Sequence, residues 1–267
     1  MRTRIITALL GLPILVFILN TGGIYITGAL IVVTHIALME FYSVFIRANI
    51  FPFKTAGLFS SAAIIFIAGY YPGKALEFTT IILVACTMLC FFQMILQNKE
   101  RLNDLGITLL GLVYISVLMG MMLMLYNLDK GNLYIWLVFI LAWIGDTFAY
   151  FIGITFGKHK LCPAISPKKS IEGSVAGLVG SILGSALFGY IAWRLFGINY
   201  RIVDLALVGL TGGVLAQLGD LTASLIKRHT GVKDYGNIMP GHGGILDRFD
   251  SVLFAIPVVY YYTRYFI

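Results

Sequence analysis

Apolar runs of about 20 residues recur along the whole chain, separated by short polar breaks. At a rise of about 1.5 Å per residue, such a run crosses the roughly 30 Å hydrocarbon core of a bilayer. Lipid offers no partner to a backbone N–H or C=O, so helices are the expected spanning elements. Composition agrees. Of 267 residues, 59 % are hydrophobic and only 12 % charged, too few polar groups for the surface of a soluble domain of this size. The expected fold is all-α: a polytopic integral membrane protein with about nine transmembrane helices. They are placed near residues 5–21, 24–46, 57–72, 78–97, 106–128, 132–156, 174–196, 203–227 and 251–266. The first run, after Met1-Arg2-Thr3-Arg4, lacks a convincing small-residue cleavage site and reads as a retained span.

Basic residues orient this arrangement. Of the 19 Lys and Arg, only Lys74, Lys130, Arg194, Arg201 and Arg264 fall on the far side. The other 14 share a side with the N-terminus, which the positive-inside rule makes cytoplasmic, leaving the C-terminus outside. The same skew accounts for the net charge of +7 without nucleic acid as a partner. Basic loops also attract anionic lipid headgroups. Cys86, Cys90 and Cys162 have no framework spacing, which argues against structural disulfides.

The chain reads as a single membrane domain, with scaffold spans over 1–140 and catalytic spans and cytoplasmic loops over 141–267. Glu40 is the one acid well inside a span in the first part. Later, Gly173 with Gly177 and Gly180 with Gly184 stand four apart, a spacing that lets helix backbones approach closely.

Polar residues gather in the second part. Asp146 lies deep in the sixth span, with Tyr150 one turn later on the same face. An acid at bilayer depth costs about 3 kcal/mol, so it normally faces a wet cavity or a cation. Ser166-Pro167-Lys168-Lys169-Ser170 places two cations and hydroxyls beside a fixed turn, a set suited to phosphate. An ordinary positive-inside loop has the same composition, and this loop alone does not decide between them. Glu172 then opens the next helix, where an acid matches the dipole.

The strongest signal runs from Gly219 to Ser251. Asp220, Ser224, Lys227 and Arg228 share one helix face, and Asp247, Asp250 and Ser251 share another. Between them, Gly241, His242, Gly243 and Gly244 form a bare-backbone turn that can present amides to phosphate. Acids beside cations and a glycine turn are the parts of a magnesium–polyphosphate site. The competing reading is a charged interfacial loop with a helix-capping acid.

The stretch Ser224-Leu-Ile-Lys-Arg-x4-Lys233-Asp-x-Gly-x2-Met-Pro-Gly-His-Gly-Gly-Ile-Leu-Asp-Arg-Phe-Asp250 resembles the signature of the CDP-diacylglycerol synthase, or phosphatidate cytidylyltransferase, family. Gly145-Asp146-Thr147-x-Ala149-Tyr150 and Ser166-Pro167-Lys168-Lys169-Ser170-x-Glu172-Gly173 resemble its other motifs, and Ala37-Leu-Met-Glu40-Phe-Tyr42 does so more weakly. Ser170, where Thr is expected about as often, departs mildly.

The resemblance implies transfer of CMP from CTP to phosphatidate, giving CDP-diacylglycerol and pyrophosphate in phospholipid biosynthesis. It implies a cell inner (plasma) membrane location, an active site on the cytoplasmic side and a homodimer. Asp220 and Asp247 are expected at a Mg²⁺ ion, with Asp250 and Asp146 as further metal or metal-supporting candidates. A second metal is compatible with the same acids. Lys168, Lys169, Lys227 and Arg228, with Ser166 and Ser224, are expected on substrate phosphates. Arg248, Lys233 and the turn of Gly241, His242, Gly243 and Gly244 are expected on CTP or the departing pyrophosphate. Two other readings stand beside this one: a CTP-dependent lipid kinase of the dolichol or phytol type, and an ion-coupled transporter using its embedded acids as ion sites.

Overall fold

The computed structural model describes residue 13, residues 16–238 and residues 243–266. Most of the expected first span, together with Gly241 and His242, lies outside these described residues. The helices follow the apolar runs: α1 Gly23–Arg47, α2 Lys54–Tyr70, α3 Ala75–Gln97, α4 Leu102–Gly111, α5 Leu118–Tyr126, α6 Gly131–Phe156, α7 Ile171–Phe196, α8 Ile202–His229 and α9 Leu246–Phe266. A π-helical segment, Leu112–Val117, joins α4 to α5 into one stretch.

Among the described residues, six helices are long and apolar enough to cross a membrane: Gly23–Arg47, Pro72–Gln97, Leu102–Tyr126, Gly131–Phe156, Ile171–Phe196 and Ile202–His229. This is a helical, polytopic membrane protein. The third expected span, α2, has 17 residues and is shorter than those six. The expected loop after α6 holds an antiparallel hairpin, β1 Lys160–Cys162 with β2 Ser166–Ser170, in which Lys160 pairs with Ser170 and Cys162 with Ser166.

The chain forms two compact units. One contains the residues up to Asn127 together with His229–Phe249, and the other contains Leu128–Arg228 together with the residues from Asp250 onward. In the first, Tyr42 of α1 is fully buried, and both Gly57 and Gly111 lie against its ring. Its hydroxyl donates to the Thr108 carbonyl at 3.0 Å. The turn between α1 and α2 is pinned by the Phe51 amide on Asp104 (2.7 Å) and the Phe53 amide on the Thr108 hydroxyl (2.8 Å). Arg101 holds Asp104 in place at 2.5 Å.

In the second unit, α7 packs on α6 through the glycines read from the sequence. A methyl at Gly173 would sit 2.7 Å from the Ala149 carbonyl, and one at Gly177 would sit 3.1 Å from that of Gly145. Gly180 lies under the Phe148 side chain, and Gly184 lies against Ile140 and Ile144. Hydrophobic drive between helices is weak in lipid, so this close backbone fit is what holds the pair. Gly177→Val should therefore lower the unfolding midpoint in detergent by several degrees, corresponding to about 1–3 kcal/mol of overpacking. Gly106→Ala, at an open position, should leave it unchanged.

Candidate active site

A cavity lies in the second unit beside the close α6–α7 contact. Its volume is about 530 Å³. From α6 come Asp146, Tyr150 and Gly153, from the hairpin Lys160, Lys168, Lys169 and Ser170, from α7 Ser174, and from α8 Gln217 and Asp220. Polar and charged groups thus converge from four elements, and apolar stems such as Ile154 and Leu161 fill the wall between them.

Local structure explains how each side chain arrives there. Ser170 caps α7, accepting the Gly173 amide at 3.1 Å, so β2 ends where the helix begins. Glu172 in the first turn of α7 accepts the amides of Lys158 (3.2 Å) and His159 (3.3 Å) and the His159 ring Nδ1 (2.7 Å). These bonds fix the root of the hairpin and hence the positions of Lys168 and Lys169. Lys169 forms an ion pair with Asp220 of α8. Arg228 donates to the Ile165 carbonyl at 3.2 Å, tying the hairpin tip to the end of α8.

A second polar contact joins the start of α9 to the cavity wall. The Ser251 hydroxyl donates to Asp146 at 3.2 Å. Asp250 feels the charges of Asp220, Lys227 and Asp146. Gly219 makes this possible: any side chain there would collide with the Asp250 carbonyl and press on Phe254. A bare position beside Asp220 lets α9 come in against α8 and gathers three carboxylates with two lysines.

The structure therefore brings together Asp146, Lys168, Lys169, Asp220, Lys227 and Asp250. Ser166 lies in β2 opposite Cys162, and Ser224 lies one turn beyond Asp220 on α8. Arg228 also lies in the second unit, whereas Lys233, Gly243, Gly244, Asp247 and Arg248 belong to the first. Lys233 and Arg248 are exposed there. Asp247 is buried, and its Oδ2 accepts the amides of Tyr235 (2.9 Å) and Gly244 (3.0 Å). Gly243 adopts φ +85°, a left-handed conformation that suits glycine, and a methyl there would sit 2.9 Å from the same Oδ2.

The sequence did not single out Gln217 or Ser174. Gln217 and Ser174 form a reciprocal pair, the Ser174 hydroxyl donating to the Gln217 side-chain oxygen at 2.5 Å and the Gln217 amide to the Ser174 carbonyl at 3.0 Å. Gln217 stands one turn before Asp220, and that spacing was the available clue. Glu40 accepts the amides of Ile245 (3.1 Å) and Leu246 (2.9 Å), more than 200 residues away, and nothing local to Glu40 announces this.

Among the described residues, no group of three or more His, Cys, Asp or Glu is placed to hold an ion through protein ligands alone. Magnesium commonly takes one or two carboxylates and completes its shell with water and substrate phosphate. The acids around Asp220 fit that division of labour.

Comparison with known proteins identifies the family. The sequence model of the cytidylyltransferase family matches residues 2–266. A phosphatidate cytidylyltransferase of Staphylococcus epidermidis is 36 % identical over 265 residues, covering 97 % of each chain. That of Bacillus subtilis is 32 % identical over 278 residues, covering 100 % of this chain and 98 % of its own. That of Staphylococcus aureus is 35 % identical over 265 residues.

Proposed function

This chain belongs to the cytidylyltransferase family, and from that premise we propose the way its residues carry out the reaction. The enzyme is a nucleotidyltransferase that moves the cytidylyl group of CTP onto phosphatidate. A phosphate oxygen of phosphatidate attacks the α-phosphorus of CTP. The bond from that phosphorus to the bridging oxygen breaks, and pyrophosphate leaves with the electron pair. The nucleophile is already an anion at neutral pH, so no general base is required. The barrier lies in bringing two polyanions together, and positioned charge lowers it.

The observation that carries this reading is the 530 Å³ cavity in which Lys168 and Lys169 face Asp220 and Asp146. Lys168 and Lys169 hold substrate phosphate, with Lys227 and Arg228 at the end of α8 extending the basic surface and Ser166 and Ser224 adding hydroxyl donors. In the second unit Asp220 would hold Mg²⁺, with Asp250 and Asp146 supporting it or receiving a second ion; Asp247 is proposed as a metal ligand on the family resemblance alone. Bound magnesium would supply charge neutralisation on the phosphates. Backbone bonds to Asp247 Oδ2 fix that carboxylate's plane, a common feature of metal-binding acids. Lys233, Arg248 and the turn of Gly241, His242, Gly243 and Gly244 receive CTP or pyrophosphate.

The chain crosses the bacterial plasma membrane nine times with a cytoplasmic N-terminus and an outer C-terminus, a topology supported by its one-sided basic residues. The site then faces the cytoplasm, where CTP is found, and phosphatidate comes from the surrounding bilayer. The working unit is a homodimer.

Product analysis tests the reaction type. With CTP and phosphatidate, pyrophosphate and a CDP-lipid should accumulate together. CDP with a newly phosphorylated lipid alcohol would instead identify the lipid-kinase reading.

A further inference from the structure

We propose that Glu40, on a scaffold helix outside the cavity, is a positioning residue for Gly243, Gly244 and Asp247, groups assigned above to the nucleotide and its metal. It is the acid that the sequence places alone among apolar neighbours in a span, and it is buried. Its two carboxylate oxygens divide the work: Oε1 accepts from Ile245 and Oε2 from Leu246. Both amides belong to the entrance of α9, where backbone N–H groups have no partner within the helix. Gly236 and Gly244 both lie flush against the same carboxylate, and a methyl at either would strike it.

Asp247 completes the arrangement from the other direction. Its Oδ2 accepts from both Tyr235 and Gly244. Asp247 thus ties Tyr235 to Gly244, and Glu40 ties the adjoining Ile245 and Leu246 to α1. Four backbone amides are consumed by two carboxylates. A carboxylate buried in a membrane helix is costly, and bonds to backbone amides of a distant loop offset that cost. Glu40 touches no substrate in this scheme. It acts by setting where Gly243, Gly244 and Asp247 stand.

The inference rests on the assignment of Gly243 and Gly244 to CTP, and its test separates the two. Wild type, Glu40→Gln, Glu40→Ala and, as a reference for an unrelated buried acid, Asp104→Asn would be purified in detergent. Amide hydrogen exchange over 235–246 would be measured together with KM for CTP and KM for phosphatidate. Glu40→Gln keeps one acceptor and turns an amide group toward the other N–H. It should speed exchange at Ile245 and Leu246 and raise KM for CTP by about 10-fold, with KM for phosphatidate unchanged. Glu40→Ala should do more of both. Asp104→Asn should lower stability without altering exchange in this segment or either KM. Faster exchange with both KM values unchanged would keep the clamp but remove CTP from the turn, overturning the proposal through the assignment it rests on. Unchanged exchange in Glu40→Gln would overturn the clamp itself.

Discussion

Asp220→Asn is expected to cut turnover by about 100- to 1000-fold while leaving the fold intact, the loss typical of removing a charge that stabilises a transition state. The substitution is nearly isosteric. It keeps an oxygen toward Lys169 but removes the charge that pairs with it. It also removes from α8 the carboxylate proposed for magnesium, so the residual activity should require more Mg²⁺ than wild type. Turnover measured across a magnesium titration, with the unfolding midpoint recorded for the same preparation, checks both points. Turnover and magnesium dependence equal to wild type would remove Asp220 from the chemistry.

The second large effect is expected at a residue with no side chain. Gly219→Val should both destabilise the protein and inactivate what remains folded. Its side chain meets the Asp250 backbone and the Phe254 Cβ, neither of which can swing aside as the end of a flexible side chain would. Overpacking of this kind costs about 1–3 kcal/mol. Pushing α9 away from α8 also separates Asp250 from Asp220 and draws Ser251 away from Asp146. Turnover per folded molecule should fall below about a tenth, since misplacement by about 1 Å can cost 100-fold. Gly219→Ala should lie between wild type and Val. A Val variant with normal melting and normal turnover would show that the two helices do not need this contact.

These two residues also mark what sequence alone makes legible. Apolar runs translate into helices because lipid forbids an unpaired backbone, and the expected spans from residue 24 onward coincide with helices to within a few residues. The glycine pairs of α7 announced a close helix neighbour, which proved to be α6. Asp146 and Asp220 were legible as acids without a hydrophobic purpose, while Lys168 and Lys169 could equally have been an ordinary positive-inside loop; the cavity gathers all four. The hairpin Lys160–Ser170 was not. Its strands have three and five residues, include Pro167, and carry no alternating pattern. The π-helical segment Leu112–Val117 has the same apolar composition as the α-helix around it. Contacts between distant segments, such as Glu40 with Ile245 or Ser251 with Asp146, depend on the packing of helices whose apolar faces all look alike from sequence.

The most direct measurement is transfer of label from CTP carrying a radioactive α-phosphate. Purified protein would be given phosphatidate, with Mg²⁺ present or removed by chelator. Label should move into a lipid-soluble product with Mg²⁺ and stay in water-soluble nucleotide without it. Folded protein that leaves the label in nucleotide under both conditions would contradict cytidylyl transfer.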